Sequence, residues 1–279
     1  MTSTEPSSTT NLSIPDLFLL ASTLAVTGDL SGSRKVIGER IPHHPEAGRI
    51  DLARVAICRA DWLRRDGHAQ AALGAFSKII NADPLARIEK HMAHGLTLSS
   101  LARASRSACQ RIRLIERAIR LQEHAVAIAE ETPFVASDKR IYYLVVLSEH
   151  YLRLMKERGR KQDPRIEANH ERCAVLAQMP DVSGAHAKRL AWELPFDRGL
   201  YLAAAGKRNE AHDCFINMWQ NVVGGQDERS KTWAALCLRG SAEKLGLQST
   251  ESRQATDYIV TNGLSALLPS DKILLKFFL

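Results

Sequence analysis

A row of polar, mostly cationic side chains occupies one stretch of the chain at spacings that alternate between four and three residues. Its members are Arg106, Gln110, Arg113, Arg117, Arg120 and His124. On an α-helix, which turns by about 100° per residue, these positions fall within roughly 80° of arc. The planar guanidinium of arginine can bind a carboxylate or a phosphate through two parallel hydrogen bonds, which lysine cannot do. We therefore predict that the four arginines contact a partner. The alternative is a solvated helix face on which Glu116 pairs with Arg120.

Residue patterns that would support catalysis are weak. The run Ser241-Ala-Glu-Lys244 matches the S-x-x-K pattern of some acyl-transfer enzymes, but neither S-D-N nor K-T-G accompanies it. Glu167 and His170 form a single Glu-x-x-His, whereas a di-iron centre needs two such motifs and further inward glutamates. No glycine-rich phosphate loop and no H-E-x-x-H metal motif occurs in the sequence. We predict no catalytic residue, no metal and no cofactor, and hence a protein that is not an enzyme.

Helices must position these side chains, because the 3.6-residue period of apolar residues dominates from Ser13 onward. Amphipathic runs stop 39 to 49 residues apart, and the stops are Pro45, Pro84, Pro133, Pro180, Gly224-Gly225 and Pro269. A glycine or a polar break divides each interval into two helices. A period of this length built from helix pairs is typical of a stacked solenoid. We predict long helices over 110–131 and 139–158, and a kink or break at Pro195 within a helix over 191–205.

Two of the predicted pairs share a finer pattern of small and aromatic residues. The second pair carries Ala60, Leu63, Gly67, Ala72 and Phe76, and the fifth carries Gly199, Leu202, Gly206, Ala211 and Phe215 at the same spacing. The small residues let two helices approach closely, and the central glycine ends the first helix in a left-handed cap. This pattern resembles the tetratricopeptide repeat (TPR). The resemblance implies an all-α, right-handed superhelical solenoid of about six antiparallel helix pairs. The third and fourth pairs depart from it by lacking the glycine, and the periods exceed the 34 residues of that repeat.

Five aromatic side chains fall on the first helices of the predicted pairs. They are Trp62, Tyr142, Tyr151, Trp192 and Tyr201. The resemblance places these helices along a concave groove, where aromatic side chains are typical anchors for a partner. We predict them as partner contacts, with packing in the core as the alternative. The same resemblance places the arginine row on a second helix, outside that groove.

Charge and cysteine content indicate which partners and which cellular compartment suit the protein. Lys and Arg number 38 against 31 Asp and Glu, and most of the resulting net charge of +7 arises in residues 101–165. Such a basic region attracts an acidic protein surface or nucleic acid. The five cysteines are widely spaced and form no C-x-x-C, so we predict no disulfide, no zinc and a cytoplasmic location. No apolar run approaches the roughly 20 residues of a membrane span, so we predict no membrane partner.

The ends of the chain differ in composition from the middle. Residues 1–12 are rich in Ser and Thr and predict a flexible tail, followed by a single domain over 13–269. Residues 270–279 predict a capping segment. Its apolar side chains either cover the last helix pair or form a dimer contact, and they are Leu274, Leu275, Phe277, Phe278 and Leu279. The oligomeric state stays open.

The sequence thus favours a non-catalytic scaffold or adaptor that binds a protein or a peptide. The resemblance implies a regulatory role, since bacterial TPR-like modules of this length often act as regulatory or secretion-associated adaptors. A nucleic-acid-binding solenoid that uses the basic residues 101–165 is one alternative. A sensor whose curvature changes when a peptide enters the groove is another.

Overall fold

The computed structural model describes residues 12–26, 29–80, 83–182, 184–225, 227–247 and 249–265. The predicted tail, except Leu12, and the predicted capping segment with its apolar dimer contact lie outside these residues. The chain divides into two compact units, Met1–Thr132 and Pro133–Leu279. The boundary between them falls at Pro133, one of the predicted stops between helix pairs.

Helices account for the regular structure of both units. The first unit contains α1 (Ile14–Val26), α2 (Leu30–Lys35, continued by a π-helical turn Val36–Arg40), α3 (Arg49–Arg65), α4 (Ala69–Lys78), α5 (Pro84–Ala104) and α6 (Ala108–Glu131). The second contains α7 (Ser137–Glu157), α8 (Pro164–Leu176), α9 (Gly184–Ala204), α10 (Arg208–Val222), α11 (Glu228–Leu245) and α12 (Thr250–Asn262). The described residues form no β-strand, which confirms the predicted all-α class. None of the helices within those ranges combines the length and the apolar character that a membrane crossing requires.

Consecutive helices pack against each other in pairs. In the first unit the pairs are α1 with α2, α3 with α4 and α5 with α6; in the second they are α7 with α8, α9 with α10 and α11 with α12. The first helices of neighbouring pairs also contact each other, as α3 does with α5, α7 with α9 and α9 with α11. Within the described part of the chain, six successive pairs match the number that the proline and glycine stops predict.

Side-chain chemistry sets the ends of several helices. The Asp83 carboxylate accepts a hydrogen bond from the backbone N–H of Ala86 at 2.8 Å and so caps α5. Pro84 follows as the first helical residue, where a missing N–H costs nothing because that group has no partner within a helix. The turns after α3 and α9 contain Gly67 and Gly206 with φ of +90° and +83°. Glycine enters this left-handed region without steric cost, as the TPR-like pattern predicts.

The small and aromatic positions of the TPR-like pattern meet inside the helix pairs. Ala60, Ala72 and Phe76 belong to one buried cluster between α3 and α4. In the second unit, a methyl group added at Gly199 would lie 2.5 Å from Cε1 of Phe215. Glycine is therefore required at position 199 for α9 and α10 to approach this closely.

The pair formed by α5 and α6 contains a comparable close approach. A methyl group at Gly95 would lie 3.0 Å from Cγ of Gln122 and 3.2 Å from the carbonyl oxygen of Ala118. The Gln122 side chain is fully buried, and neither atom of its amide has a hydrogen-bond partner among the described residues. A polar amide thus sits in a position where apolar packing would be expected.

Helix α9 continues through Pro195, so of the predicted kink or break the break does not occur, and the kink stays a prediction. Proline has no N–H, which leaves the carbonyl of Ala191, four residues earlier, without its intrahelical donor. The side-chain amide of Asn221 in α10 donates a hydrogen bond to that carbonyl at 2.8 Å. The backbone acceptor that proline frees is satisfied from the neighbouring helix, and α9 remains one element.

Candidate functional site

The arginine ridge, defined as Arg113, Arg117 and Arg120, lies on the exposed face of α6. The helix begins directly after Ser107, whose hydroxyl accepts a hydrogen bond from the backbone N–H of Gln110 at 3.4 Å. The buried residues of α6 lie away from this face, and they are Ile115, Ala118, Ile119, Gln122, Ala125, Val126 and Ala129. One narrow strip of α6 therefore presents arginine to solvent.

Arg106 lies outside this helix, contrary to the prediction that places it in the same helical row. Because Ser107 caps α6, Arg106 belongs to the turn that precedes the helix, where its side chain is exposed. Its backbone carbonyl accepts a hydrogen bond from the Arg111 guanidinium at 3.2 Å. The ridge is therefore one arginine shorter than the sequence predicts.

The structure gives no salt bridge of Arg113, Arg117 or Arg120 within the part of the chain that it describes. Each guanidinium carries five donors in a fixed planar arrangement. An incoming carboxylate or phosphate can bond to these donors without first breaking an internal ion pair.

Two histidines of α5 flank the ridge. The ring of His91 stacks on that of His124 in α6, with the ring centroids 5.0 Å apart. Burial, with the neighbouring His124 and Lys90, lowers the pKa of His91 to about 4. Burial and the guanidinium of Arg117 lower the pKa of His94. His91 and His94 are therefore neutral at pH 7, and arginine supplies the positive charge of this face.

Three of the five predicted aromatic contacts retain exposed surface. Trp62 is half-buried, with the Arg34 guanidinium 5.6 Å from its ring centroid. Tyr142 is 36% exposed. Trp192 is half-buried, and its ring centroid lies 6.4 Å from that of Phe196. These side chains belong to different helices, with Trp62 in the first unit and the other two in the second.

The remaining two aromatic residues lie in the interior of the second unit. Tyr151 is 4% exposed, and the Arg165 guanidinium lies 4.0 Å from its ring centroid. Tyr201 is 2% exposed. Both rings contribute chiefly to packing, and the hydroxyl of Tyr201 also reaches a cleft.

This cleft has a volume of about 430 Å³ and opens among α8, α9 and α10. Its polar lining residues lie one helical turn apart on each element. The charged ones are Glu167 and Glu171 of α8, Arg198 of α9, Lys207 just before α10 and Glu210 of α10. Ala174, Leu194, Pro195 and Leu202 supply the apolar part of the wall.

Two partly buried hydrogen bonds connect the walls of the cleft. His170 of α8 and Asp197 of α9 are joined through Nε2 and Oδ2 at 2.7 Å, and both side chains are largely buried. The Tyr201 hydroxyl donates to the Glu167 carboxylate at 3.1 Å. Burial and the hydrogen bond to Glu167 raise the pKa of Tyr201, so the hydroxyl keeps its proton. These bonds hold α8 and α9 in one relative position.

Charges of both signs on the cleft remain without a salt bridge. Lys207 and Glu210 approach each other at 4.0 Å, the outer limit of an ion pair. Arg198 and Glu171 are exposed, and neither forms an ion pair among the described residues. The cleft therefore presents one unpaired guanidinium and one unpaired carboxylate.

Sequence reasoning identified only part of this cleft. It singled out Glu167 and His170 as an isolated Glu-x-x-His and Tyr201 as a groove residue, and it missed Arg198 and Glu171. The available signal was the recurrence of polar residues at three- and four-residue spacing on two adjacent helices. Which faces of α8 and α9 meet depends on tertiary packing, which a single-helix pattern does not contain.

The S-x-x-K residue Ser241 also gains a partner in the structure. Its hydroxyl donates to the backbone carbonyl of Leu238 at 2.9 Å and lies 2.8 Å from Nδ1 of His212. The hydroxyl therefore has two polar neighbours, a backbone acceptor and the His212 ring. Among the described residues, no three His, Cys, Asp or Glu side chains come together in a way that could hold a metal ion.

Comparison with known proteins identifies no family for this chain. No protein-family model matches the sequence, and no curated protein is detectably similar to it. Among solved structures, the fold is similar to the crystal structure of BtubC (BKLC) from P. vanneervenii, with a TM-score of 0.41 and 14% sequence identity over 90% of each chain. A likeness of this degree carries no statement about function or partners.

Proposed function

We propose that this chain is a non-catalytic helical binding protein that acts as a scaffold or adaptor for a protein or peptide partner. The arginine ridge is the surface that meets the partner, and the partner presents carboxylate or phosphate groups to it. The observation that carries this proposal is the row of three exposed arginines that lack salt bridges among the described residues.

The packing of the helix pairs supports a repeat architecture for this function. First helices of neighbouring pairs contact each other where α3 meets α5, α7 meets α9 and α9 meets α11, which is how pairs stack in a solenoid. The close approach of Gly199 to Phe215 supplies the small-against-aromatic contact of the TPR-like pattern. We propose that the pairs of each unit stack in the right-handed sense of that repeat. Stacked pairs present long, rigid surfaces suited to binding rather than to chemistry.

The electrostatics of the ridge favour an acidic partner. Its arginines have lost no charge to internal pairing, and His91 and His94 beside them are neutral at pH 7. Charge-assisted bonds between guanidinium and carboxylate are among the stronger hydrogen bonds in proteins, and Arg is enriched at interface hot spots. Exposed charge pairs are screened by salt, so the affinity should fall as ionic strength rises.

Affinity capture with a charge-reversed ridge tests the proposal. The tagged chain and the variant R113E/R117E/R120E are incubated with native extract, with and without nuclease, and bound proteins are identified by mass spectrometry. The control K139E/R160E/R253E makes the same change in net charge at exposed positions of the second unit. We expect a defined partner that survives nuclease, binds the control and is lost by the ridge variant.

Titration of the purified partner completes the test. Its Kd should rise with salt for the native chain, and the ridge variant should bind at least about tenfold more weakly, as the loss of one or two charged hydrogen bonds implies. Equal binding by the ridge variant would remove the ridge as the site. A partner lost with nuclease would instead indicate a nucleic-acid-binding protein and overturn the proposal.

A further inference from the structure

The cleft among α8, α9 and α10 combines features that the ridge lacks, because it is concave and carries charges of both signs. Its unpaired groups are the guanidinium of Arg198 on α9 and the carboxylate of Glu171 on α8, neither of which has an ion-pair partner in the described ranges. The neighbouring charged groups are already engaged, since Glu167 accepts from Tyr201 and Lys207 faces Glu210. A ligand would therefore meet one free cation and one free anion.

We propose that this cleft is a binding site for a small zwitterion, an amino acid or a dipeptide. The ligand's ammonium group lies against the carboxylates of Glu171 and Glu167, and its carboxylate lies against the guanidinium of Arg198. Glu167 can serve both roles, because a carboxylate has more acceptor positions than the single Tyr201 hydroxyl occupies.

The size of the cleft agrees with such a ligand. Small-molecule sites span about 300–1,000 Å³, and the volume here is about 430 Å³. Leu194, Pro195 and Leu202 line the apolar wall, where a short aliphatic side chain would pack.

The walls are held in place before a ligand arrives. The His170–Asp197 and Tyr201–Glu167 hydrogen bonds connect α8 to α9. The Asn221 amide connects α10 to α9 through the Ala191 carbonyl. A site whose elements are fixed in advance loses less free energy to ordering when the ligand binds. The geometry therefore favours recognition of a small molecule by a preformed cleft.

Calorimetric titration with three related probes tests the charge assignment. The probes are Ala-Ala, N-acetyl-Ala-Ala, which has no ammonium, and Ala-Ala amide, which has no carboxylate. For the native chain we expect Ala-Ala to bind with a Kd of about 1 mM or lower. Each capped probe should bind about tenfold or more weakly, because one charged hydrogen-bonded contact is lost.

Two single variants assign the charges to residues. R198Q should bind Ala-Ala and Ala-Ala amide equally, because the group that distinguishes them is gone. E171Q should reduce the preference for Ala-Ala over N-acetyl-Ala-Ala and leave the preference over the amide unchanged. R208Q, at an exposed arginine that does not line the cleft, should behave as the native chain. Circular dichroism checks that each variant is folded.

The proposal is overturned if no probe binds, or if the capped probes bind the native chain as well as Ala-Ala does. It is also overturned if both variants weaken all probes to the same extent, which would indicate a general disturbance of the cleft. The inference stands apart from the proposed partner function. The ridge variant R113E/R117E/R120E should bind Ala-Ala like the native chain, so the two proposals can fail separately.

Discussion

At the scale of single residues, Gly199 shows how strictly one position can be determined by its neighbour. We predict that Gly199→Ala lowers the free energy of unfolding, because the added methyl would lie 2.5 Å from the Phe215 ring. Overpacking of this kind costs about 1–3 kcal/mol, whereas alanine gains only about 1 kcal/mol in helix propensity. Urea unfolding followed by circular dichroism should show a net loss of up to about 2 kcal/mol.

Gly74 offers a matched control in the first unit. It also lies within a helix, α4, but no atom lies within 4 Å of the position that a methyl group would take. Gly74→Ala should therefore stabilise the chain by about 0.5–1 kcal/mol. A gain in stability at both glycines would show that α9 and α10 are not in close contact at Phe215.

His91 makes stability depend on pH. An unfolded histidine takes up its proton near pH 6.5, whereas the folded chain holds the pKa of His91 at about 4. Between these values the unfolded state binds more protons, so stability should fall as the pH is lowered from about 6.5 to about 4. Urea midpoints measured across this range should fall less for His91→Gln than for the native chain. The same slope in both proteins would contradict the low pKa.

The sequence predicted single residues well where a periodic pattern determines the outcome. The exposed positions of Arg113, Arg117 and Arg120 follow from the helical period of α6. Arg106 did not follow it, because α6 begins only after Ser107, whose hydroxyl caps the N-terminus of the helix. The sequence could not show that Arg198 and Glu171 line the same cleft, because that depends on which faces of α8 and α9 meet.

At the scale of elements, the Ala191 carbonyl that Pro195 leaves without a helical donor accepts a hydrogen bond from another helix. We predict that Asn221→Ala destabilises the chain by about 0.5–1.5 kcal/mol, because it leaves the Ala191 carbonyl without a donor. In a Pro195→Ala background the restored N–H can bond to the same carbonyl. The cost of Asn221→Ala should then be smaller, which a double-mutant cycle of urea unfolding would measure. Equal costs in both backgrounds would show that the Asn221 contact does not replace the missing bond.

The helix limits were largely predictable because they depend on local chemistry. The predicted helices over 110–131 and 139–158 correspond to α6 and α7 within two residues at each end. Of the kink or break predicted at Pro195, the break does not occur, for a reason that is not local. The compensating donor lies 26 residues further along the chain, on a side chain that a helix pattern does not single out.

At the scale of the whole molecule, cysteine reactivity reports on packing in both units. Burial raises the pKa of Cys58, Cys173 and Cys237 to about 12 each and also raises the pKa of Cys214. Only Cys109 is exposed among these five free thiols. Because the thiolate is the reactive form, a disulfide reagent at pH 8 should modify one thiol rapidly in the native chain and all five after unfolding.

The variant Cys109→Ser identifies the rapid thiol. It should remove the fast phase and leave the slow reaction of the other four unchanged. A fast phase that persists in this variant would show that a buried thiol is more accessible than its packing implies.

At this scale the number of helix pairs was predictable from the sequence. The contacts between the two helices of each pair were predictable only in part. Prolines and glycines mark the ends of pairs along the chain, and their spacing predicts six. Contacts inside a pair depend on complementary positions such as Gly199 against Phe215, of which the TPR-like pattern gave two examples. In the third and fourth pairs that pattern is absent from the sequence.

The unpaired amide of Gln122 offers a route to engineering a more robust protein. Methionine has a similar length and needs no hydrogen bond, so Gln122→Met would remove a buried polar group while keeping the packing against Gly95. The substitution lies on the buried face of α6, which leaves the ridge intact. A form that tolerates warmer and longer handling would suit both the affinity captures and crystallisation.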